Sequence, residues 1–174
     1  QLNALVPDDF MNQKVEADLL FRSMKYDLAA QKYTDLLSKH PLDSELMIEL
    51  SRVYNSLGKY QESINITKQV LESDNNSARA WSNLGFSYAN LGDFNQSLSA
   101  FNRSLELDAS NDATHTNIGF LMMQKGIYDR ALAEFENATR KNPEDAGSWL
   151  YMAKTKKDME DYSGAAAAAR KATQ

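Results

Sequence analysis

The chain has no cysteine, which excludes disulfides, thiol nucleophiles and cysteine-bound metals. Compartment stays open, because reducing and oxidising surroundings both tolerate that absence. Histidine is scarce, with only His40 and His115. His40, beside Pro41, reads as a solvated helix-end residue suited to a C-terminal dipole, and His115 as a partly buried helix residue rather than a base. No HExxH, P-loop, GxSxG or EF-hand spacing occurs. No apolar run approaches the roughly 18 to 20 residues needed to span a bilayer. An excess of basic charge is also lacking: the net charge is −5 with both signs interspersed, which argues against non-specific nucleic-acid binding. Catalytic, cofactor-binding and metal-ligating residues are therefore all assigned as none. The acidic pairs Asp8–Asp9 and Glu144–Asp145 sit where helices begin and read as caps, and Lys156–Lys157 reads as a solvated face.

What is present is a period. Trp81, His115 and Trp149 stand 34 residues apart, with Met47 one period earlier. Leu50, Leu84, Ile118 and Met152 form a second column, and Ser51, Gly85, Gly119 and Ala153 a third. Tyr54, Tyr88 and Met122 make a fourth, Gly58, Gly92 and Gly126 a fifth, and Tyr60, Phe94, Tyr128 and Tyr162 a sixth. A fixed period of this length marks stacked helix–turn–helix units, whose product is an extended surface rather than a pocket for chemistry. Around Ala78 to Leu91 the apolar spacing i, i+3, i+4, i+7 predicts one amphipathic helix. Gly92 is placed to end it in a left-handed turn and Asp93 to cap the next, which buries Phe94, Leu98, Phe101 and Leu105. Gly85 and Gly119 predict close approach of the two helices of a unit.

These columns resemble the tetratricopeptide (TPR) repeat, and the resemblance covers nearly the whole chain in five registers: 10–43, 44–77, 78–111, 112–145 and 146–174. It implies an all-α, right-handed superhelix, an α-solenoid of stacked antiparallel helix pairs forming one domain over residues 1–174. Departures are expected to matter. Gln13 and Glu16 suit an end repeat, while Thr67 in an aromatic slot and Asn75 in a proline slot predict looser packing in repeat two. Ala169 replaces an aromatic residue in the last repeat.

By resemblance, positions 2, 6, 9 and 13 of each unit line a concave groove. Repeat one offers Met11, Val15, Asp18 and Arg22; repeat two Glu45, Glu49, Arg52 and Ser56. Repeat three offers Arg79, Asn83, Phe86 and Asn90; repeat four Ala113, Asn117, Phe120 and Gln124; repeat five Gly147, Tyr151, Lys154 and Asp158. Asn83 and Asn117 share a column, and a carboxamide pairs with both backbone groups of an extended peptide. Phe86 and Phe120 would take an apolar side chain. The competing reading makes the asparagines ordinary helix-surface residues and the phenylalanines edge packing between neighbouring helices. The two-carboxylate clamp of chaperone-tail adaptors is absent, since neither frame supplies its cations.

The implied function is a non-enzymatic adaptor binding a protein or peptide segment, by resemblance in bacterial pilus assembly or secretion, often as an outer-membrane lipoprotein. A scaffold region of a larger enzyme and a secretion chaperone are the alternatives. Gln1 at the start is consistent with a signal peptide or lipidated segment upstream, so a periplasmic or outer-membrane-associated place is expected, with the cytoplasm as alternative. No direct membrane insertion and no nucleic-acid partner are expected. Five Asn-X-Ser/Thr triplets, at Asn65, Asn75, Asn95, Asn102 and Asn137, read as accidental. The alanine-rich stretch 165–169 predicts a thinly apolar last helix, which would be covered by chain continuing past Gln174 or end in a short tail, with a homodimer through this end left open.

Overall fold

The computed structural model describes residues 9–173. Asp8, Gln1 and Gln174, to which the sequence attaches a cap, a leader and a continuation, lie outside them. Among the described residues there are ten α-helices and no strand. They are α1 (Asp9–Arg22), α2 (Tyr26–Lys39), α3 (Ser44–Ser56), α4 (Tyr60–Ser73), α5 (Ala78–Asn90), α6 (Phe94–Leu107), α7 (Asp112–Gln124), α8 (Tyr128–Lys141), α9 (Ala146–Asp158) and α10 (Tyr162–Lys171). The all-α class and the antiparallel helix pairs are as expected.

The helix starts repeat with the period. Asp43, Ser77, Asn111 and Asp145 each precede an odd-numbered helix and accept from backbone N–H groups of its first turn, Leu46, Ala80, Thr114 and Ser148, at 3.0 to 3.3 Å. That satisfies donors the helix itself leaves unpaired. Asp93 caps α6 in the same way, accepting from the Gln96 N–H at 3.1 Å. Gly92 stands at φ +81°, as the turn requires. The same turn recurs at residues 24, 58, 126 and 160, all with positive φ, although Met24 and Glu160 are not glycine.

The chain divides into two compact units, one reaching Leu91 and the other starting at Gly92. In the first, each helix from α1 to α5 packs on the next, and α3 also packs on α5. Its core holds Tyr33, Leu36, Leu46, Leu50 and Val53. In the second, α6 to α10 pack likewise, with α7 also against α9. Phe135 is wholly buried there, and a Cβ on Gly119 would lie 2.6 Å from its Cε1. The expected close approach of α7 and α8 is thus made at Gly119, where the structure leaves no space for a methyl group.

The columns sort by burial. In repeats two to five, positions 3, 7 and 10 are no more than 5 % exposed: Leu46, Ala80, Thr114 and Ser148; Leu50, Leu84, Ile118 and Met152; Val53, Ser87, Leu121 and Thr155. In repeat one the same positions hold Asn12, Glu16 and Leu19, all exposed. On the second helix of each unit, Tyr33, Thr67, Phe101 and Phe135 are wholly buried, but Ala169 in the same column of α10 is not. Thr67 fills its slot without an aromatic ring, and its hydroxyl has no hydrogen-bond partner among the described residues.

Candidate functional site

The groove positions of the first unit hold a linked set of charges. Arg79 Nη1 donates to both carboxylate oxygens of Glu45, at 2.8 and 2.9 Å, and Nη2 donates to Glu49. Arg52 donates to Glu49 as well and lies over the Phe21 ring, 4.1 Å from its centroid. Lys14 stands 3.9 Å from Glu45. Glu49 is only 6 % exposed, so two guanidinium groups hold a carboxylate that would be costly to bury alone. Burial lowers the Arg79 pKa and the bonds and charges of Glu45 and Glu49 raise it; the net shift is upward, so the cation is firmly kept. Asp18, one unit earlier, accepts from the Tyr33 hydroxyl.

Asn83 belongs to this surface but points its donors inward. Its Nδ2 bonds the Ile48 carbonyl at 3.1 Å and Ser51 Oγ at 2.7 Å, both on α3. Next to it Asn55 Nδ2 donates to the Asn83 carbonyl at 3.1 Å, and Ser87 Oγ donates to Asn55 Oδ1 at 2.7 Å. What Asn83 retains for a ligand is its side-chain carbonyl. Asn90 Nδ2 turns back to the Phe86 carbonyl at 2.9 Å, and Phe86 is half-buried. Arg79, Asn83 and Asn90 therefore all have partners within their own unit, which the charge and amide pattern of the sequence did not reveal.

The second unit arranges its groove positions differently. Asn117 and Tyr151 line one hollow with Asp112, Thr116, Asn142 and Gly147. Its walls are tied across by Asn142 Nδ2 donating to Asp112 Oδ2 at 2.8 Å and by a 2.6 Å bond between the Thr116 and Ser148 hydroxyls. Beside it the Phe120 and Tyr151 rings are tilted with centroids 5.1 Å apart, and Tyr151 stacks on Phe135 at 5.8 Å. Phe120 thus packs between neighbouring helices, the arrangement that the competing reading describes, against the Tyr151 ring that lines the hollow. Gln124 and Lys154 are exposed. The hollow offers an amide, hydroxyl groups and an aromatic wall on rigid helices, a combination able to hold peptide backbone and an apolar side chain.

Neither histidine stands in such a setting. His115 is half-buried with Nδ1 2.7 Å from Glu134 Oε2, and His40 is exposed against the Phe10 ring at 4.6 Å. The tryptophans of the His115 column instead tether the preceding turn: Trp81 Nε1 donates to the Asn75 carbonyl at 2.9 Å, and Trp149 Nε1 to that of Pro143 at 2.8 Å. Among the described residues no helix is long and apolar enough to cross a membrane.

Two family profiles, both described as tetratricopeptide repeat, match residues 20–85 and 78–111. No curated protein matches the sequence. Among solved structures, a thermophilic TPR protein of Thermus thermophilus is similar over 94 % of this chain and 89 % of its own, with 20 % identity and a TM-score of 0.88. MamA of Desulfovibrio magneticus is similar over 95 % of this chain and 94 % of its own, at 14 % identity and a TM-score of 0.69. YrrB, described as a TPR protein with an unusual peptide-binding site, is similar over 94 % and 84 %, at 20 % identity and a TM-score of 0.60. At such identities the likeness shows the fold alone.

Proposed function

The chain belongs to the tetratricopeptide repeat family, and from that premise we propose that it is a non-enzymatic scaffold binding a peptide segment of a protein partner, chiefly on the face of α7 and α9. Repeats of this kind generally serve protein–protein interaction, and a similar fold carries a peptide-binding site in YrrB. The observation that carries the reading is the hollow shared by Asn117 and Tyr151, with Phe120 packed against the Tyr151 ring. The Asn117 amide receives backbone groups of an extended segment, the Phe120–Tyr151 pair takes an apolar side chain, and Gln124 and Lys154 contact polar residues at the margins. On α5, Arg79, Asn83 and Asn90 contribute less, because their side-chain donors already have partners, and Phe86 is half-buried. Nothing in this geometry favours pilus assembly, secretion or a lipid anchor over another setting, so the pathway rests on resemblance only.

The test is selection of binders from a displayed random-peptide library, followed by titration calorimetry. Asn117→Ala and Tyr151→Ala should each weaken the selected peptides about tenfold, roughly the worth of one lost hydrogen bond or apolar contact. Asn83→Ala should leave affinity within about twofold. Peptides that bind both unit-two variants as tightly as the parent chain would place the site elsewhere.

A further inference from the structure

In the first unit the groove carboxylates Glu45 and Glu49 are paired with Arg79 and Arg52. The hollow of the second unit lacks such cations. Asp112 and Asp145 line it, no lysine or arginine does, and neither carboxylate forms an ion pair among the described residues. The two acids differ in what they already do. Asp145 caps α9, its oxygens accepting from the Gly147 and Ser148 N–H groups at 3.1 Å and from Ser148 Oγ. Asp112 is not a cap, because Asn111 caps α7 through the Thr114 N–H. Its Oδ2 accepts from Asn142 Nδ2 at 2.8 Å, and its Oδ1 has no partner among the described residues. Ser44, Ala78 and Ala146 hold the same position in other repeats, so the fold does not require an acid there. A helix dipole favours an acid in the first turn. It does not account for an amide brought from the end of α8 that holds one oxygen and leaves the other open.

The hollow thus joins a carboxylate oxygen, which can only accept, to the wall formed by the Tyr151 ring. We infer that the peptide segment enters this hollow with a basic side chain, an arginine or a lysine, whose head pairs with Asp112 and whose methylene stem lies along the Tyr151 ring. The inference rests on the peptide-binding reading of the same hollow and adds the chemistry of the residue recognised. Such a side chain suits both parts of the site, because its stem covers apolar surface while its head stays in water at the carboxylate. An aromatic face also attracts a cation directly. An acidic segment is rejected, since like charges brought together across an interface are unfavourable. Asn117, whose amide has no partner among the described residues, remains for the peptide backbone. Lys154 does not line the hollow and is left for polar residues further along the segment.

Calorimetry of the whole chain with peptides selected from the random library tests it. Peptides that lose affinity to Asn117→Ala or Tyr151→Ala should share an arginine or lysine. Glutamine in its place should weaken them about fivefold, and Asp112→Asn should weaken the unchanged peptides equally, near the upper end for an ion pair open to solvent. The two changes together should cost no more than either alone, because they remove one contact, whereas a merely structural role of Asp112 would make them add. Added sodium chloride should weaken the parent chain's binding more steeply than that of Asp112→Asn. If Asp112→Asn melts early by circular dichroism, glutamate in place of the peptide's basic residue takes over the test and should abolish binding to the parent chain. Peptides that depend on Asn117 or Tyr151 yet carry no basic residue overturn the inference and leave the peptide site standing. So do peptides that bind Asp112→Asn as tightly as the parent chain, or that keep their affinity with glutamate in the basic position. A library in which no binder depends on Asn117 or Tyr151 overturns the site itself, and the inference with it.

Discussion

Glu160 adopts φ +65° in the turn slot that Gly126 fills one period earlier at φ +72°. Met24 does the same at φ +58° in the first repeat. A side chain in the left-handed region meets its own backbone, at a cost of about 1 to 2 kcal/mol per residue that glycine avoids. Met24→Gly and Glu160→Gly should each stabilise the fold by about 1 kcal/mol, after the larger unfolded-state entropy of glycine is set against the relief. Gly126→Ala should destabilise by a similar amount, although no atom lies within 4 Å of the added Cβ. Urea midpoints at constant slope would measure all three.

The geometry of this turn shows what the sequence makes legible. A repeat imposes the same backbone at Met24 and Glu160 as at three glycines, so the period locates all five turns while the residue type announces only three. Helix boundaries, the Asp93 cap and the close approach at Gly119 were readable for the same reason, since each depends on local geometry and one column. The groove chemistry was not. Asn83 and Asn117 share a column, yet Asn83 turns its donors inward to Ile48 and Ser51 on α3, while Asn117 lines a hollow of the second unit. Glu49 looked like a groove carboxylate, but its burial depends on Arg52 and Arg79 arriving from the same helix and the next repeat. Partners set by neighbouring repeats are invisible to a reading that takes each column by itself.

Thr67 occupies a column that rings fill in repeats one, three and four, and its buried hydroxyl has no partner among the described residues. An unsatisfied buried hydroxyl costs about 1 to 3 kcal/mol, which an apolar group of the same shape removes. Thr67→Val should raise stability by about 1 kcal/mol or more, read as an upward shift in the denaturant midpoint. Thr67→Ser, which retains the hydroxyl and loses a methyl group, should lower it.

Tyr33 is wholly buried and donates its hydroxyl to Asp18. Burial, then the hydrogen bond and charge of Asp18, raise its pKa well above the ordinary value near 10. The folded chain keeps this proton after the unfolded chain has lost it. The contribution is therefore whole below pH about 10 and drains away above it, by about 1.4 kcal/mol per pH unit for one proton. Tyr33→Phe should be less stable at neutral pH, because Asp18 loses its donor, and its stability should fall less steeply between pH about 10 and 11. Parallel slopes for the two proteins in that range would show that another tyrosine governs the alkaline loss.

Gly119 bears on the candidate site through the ring that it touches. A methyl group there would lie 2.6 Å from Phe135 Cε1, and Phe135 stacks on Tyr151, whose ring also meets Phe120. The buried ring cannot yield without moving its neighbour, and overpacking of this kind costs typically about 1 to 3 kcal/mol. Gly119→Ala should lose stability in that range and also weaken the selected peptides, because Tyr151 forms a wall of the hollow. Phe135→Leu alone should destabilise through the void it leaves. Combined with Gly119→Ala it should cost less than the two added together, since the smaller side chain makes room for the methyl group. A double-mutant cycle in denaturant and in peptide affinity would measure that coupling. If stability recovers in the double variant while affinity does not, the stack of Phe135 on Tyr151 itself shapes the peptide site, and the close approach at Gly119 serves binding as well as packing.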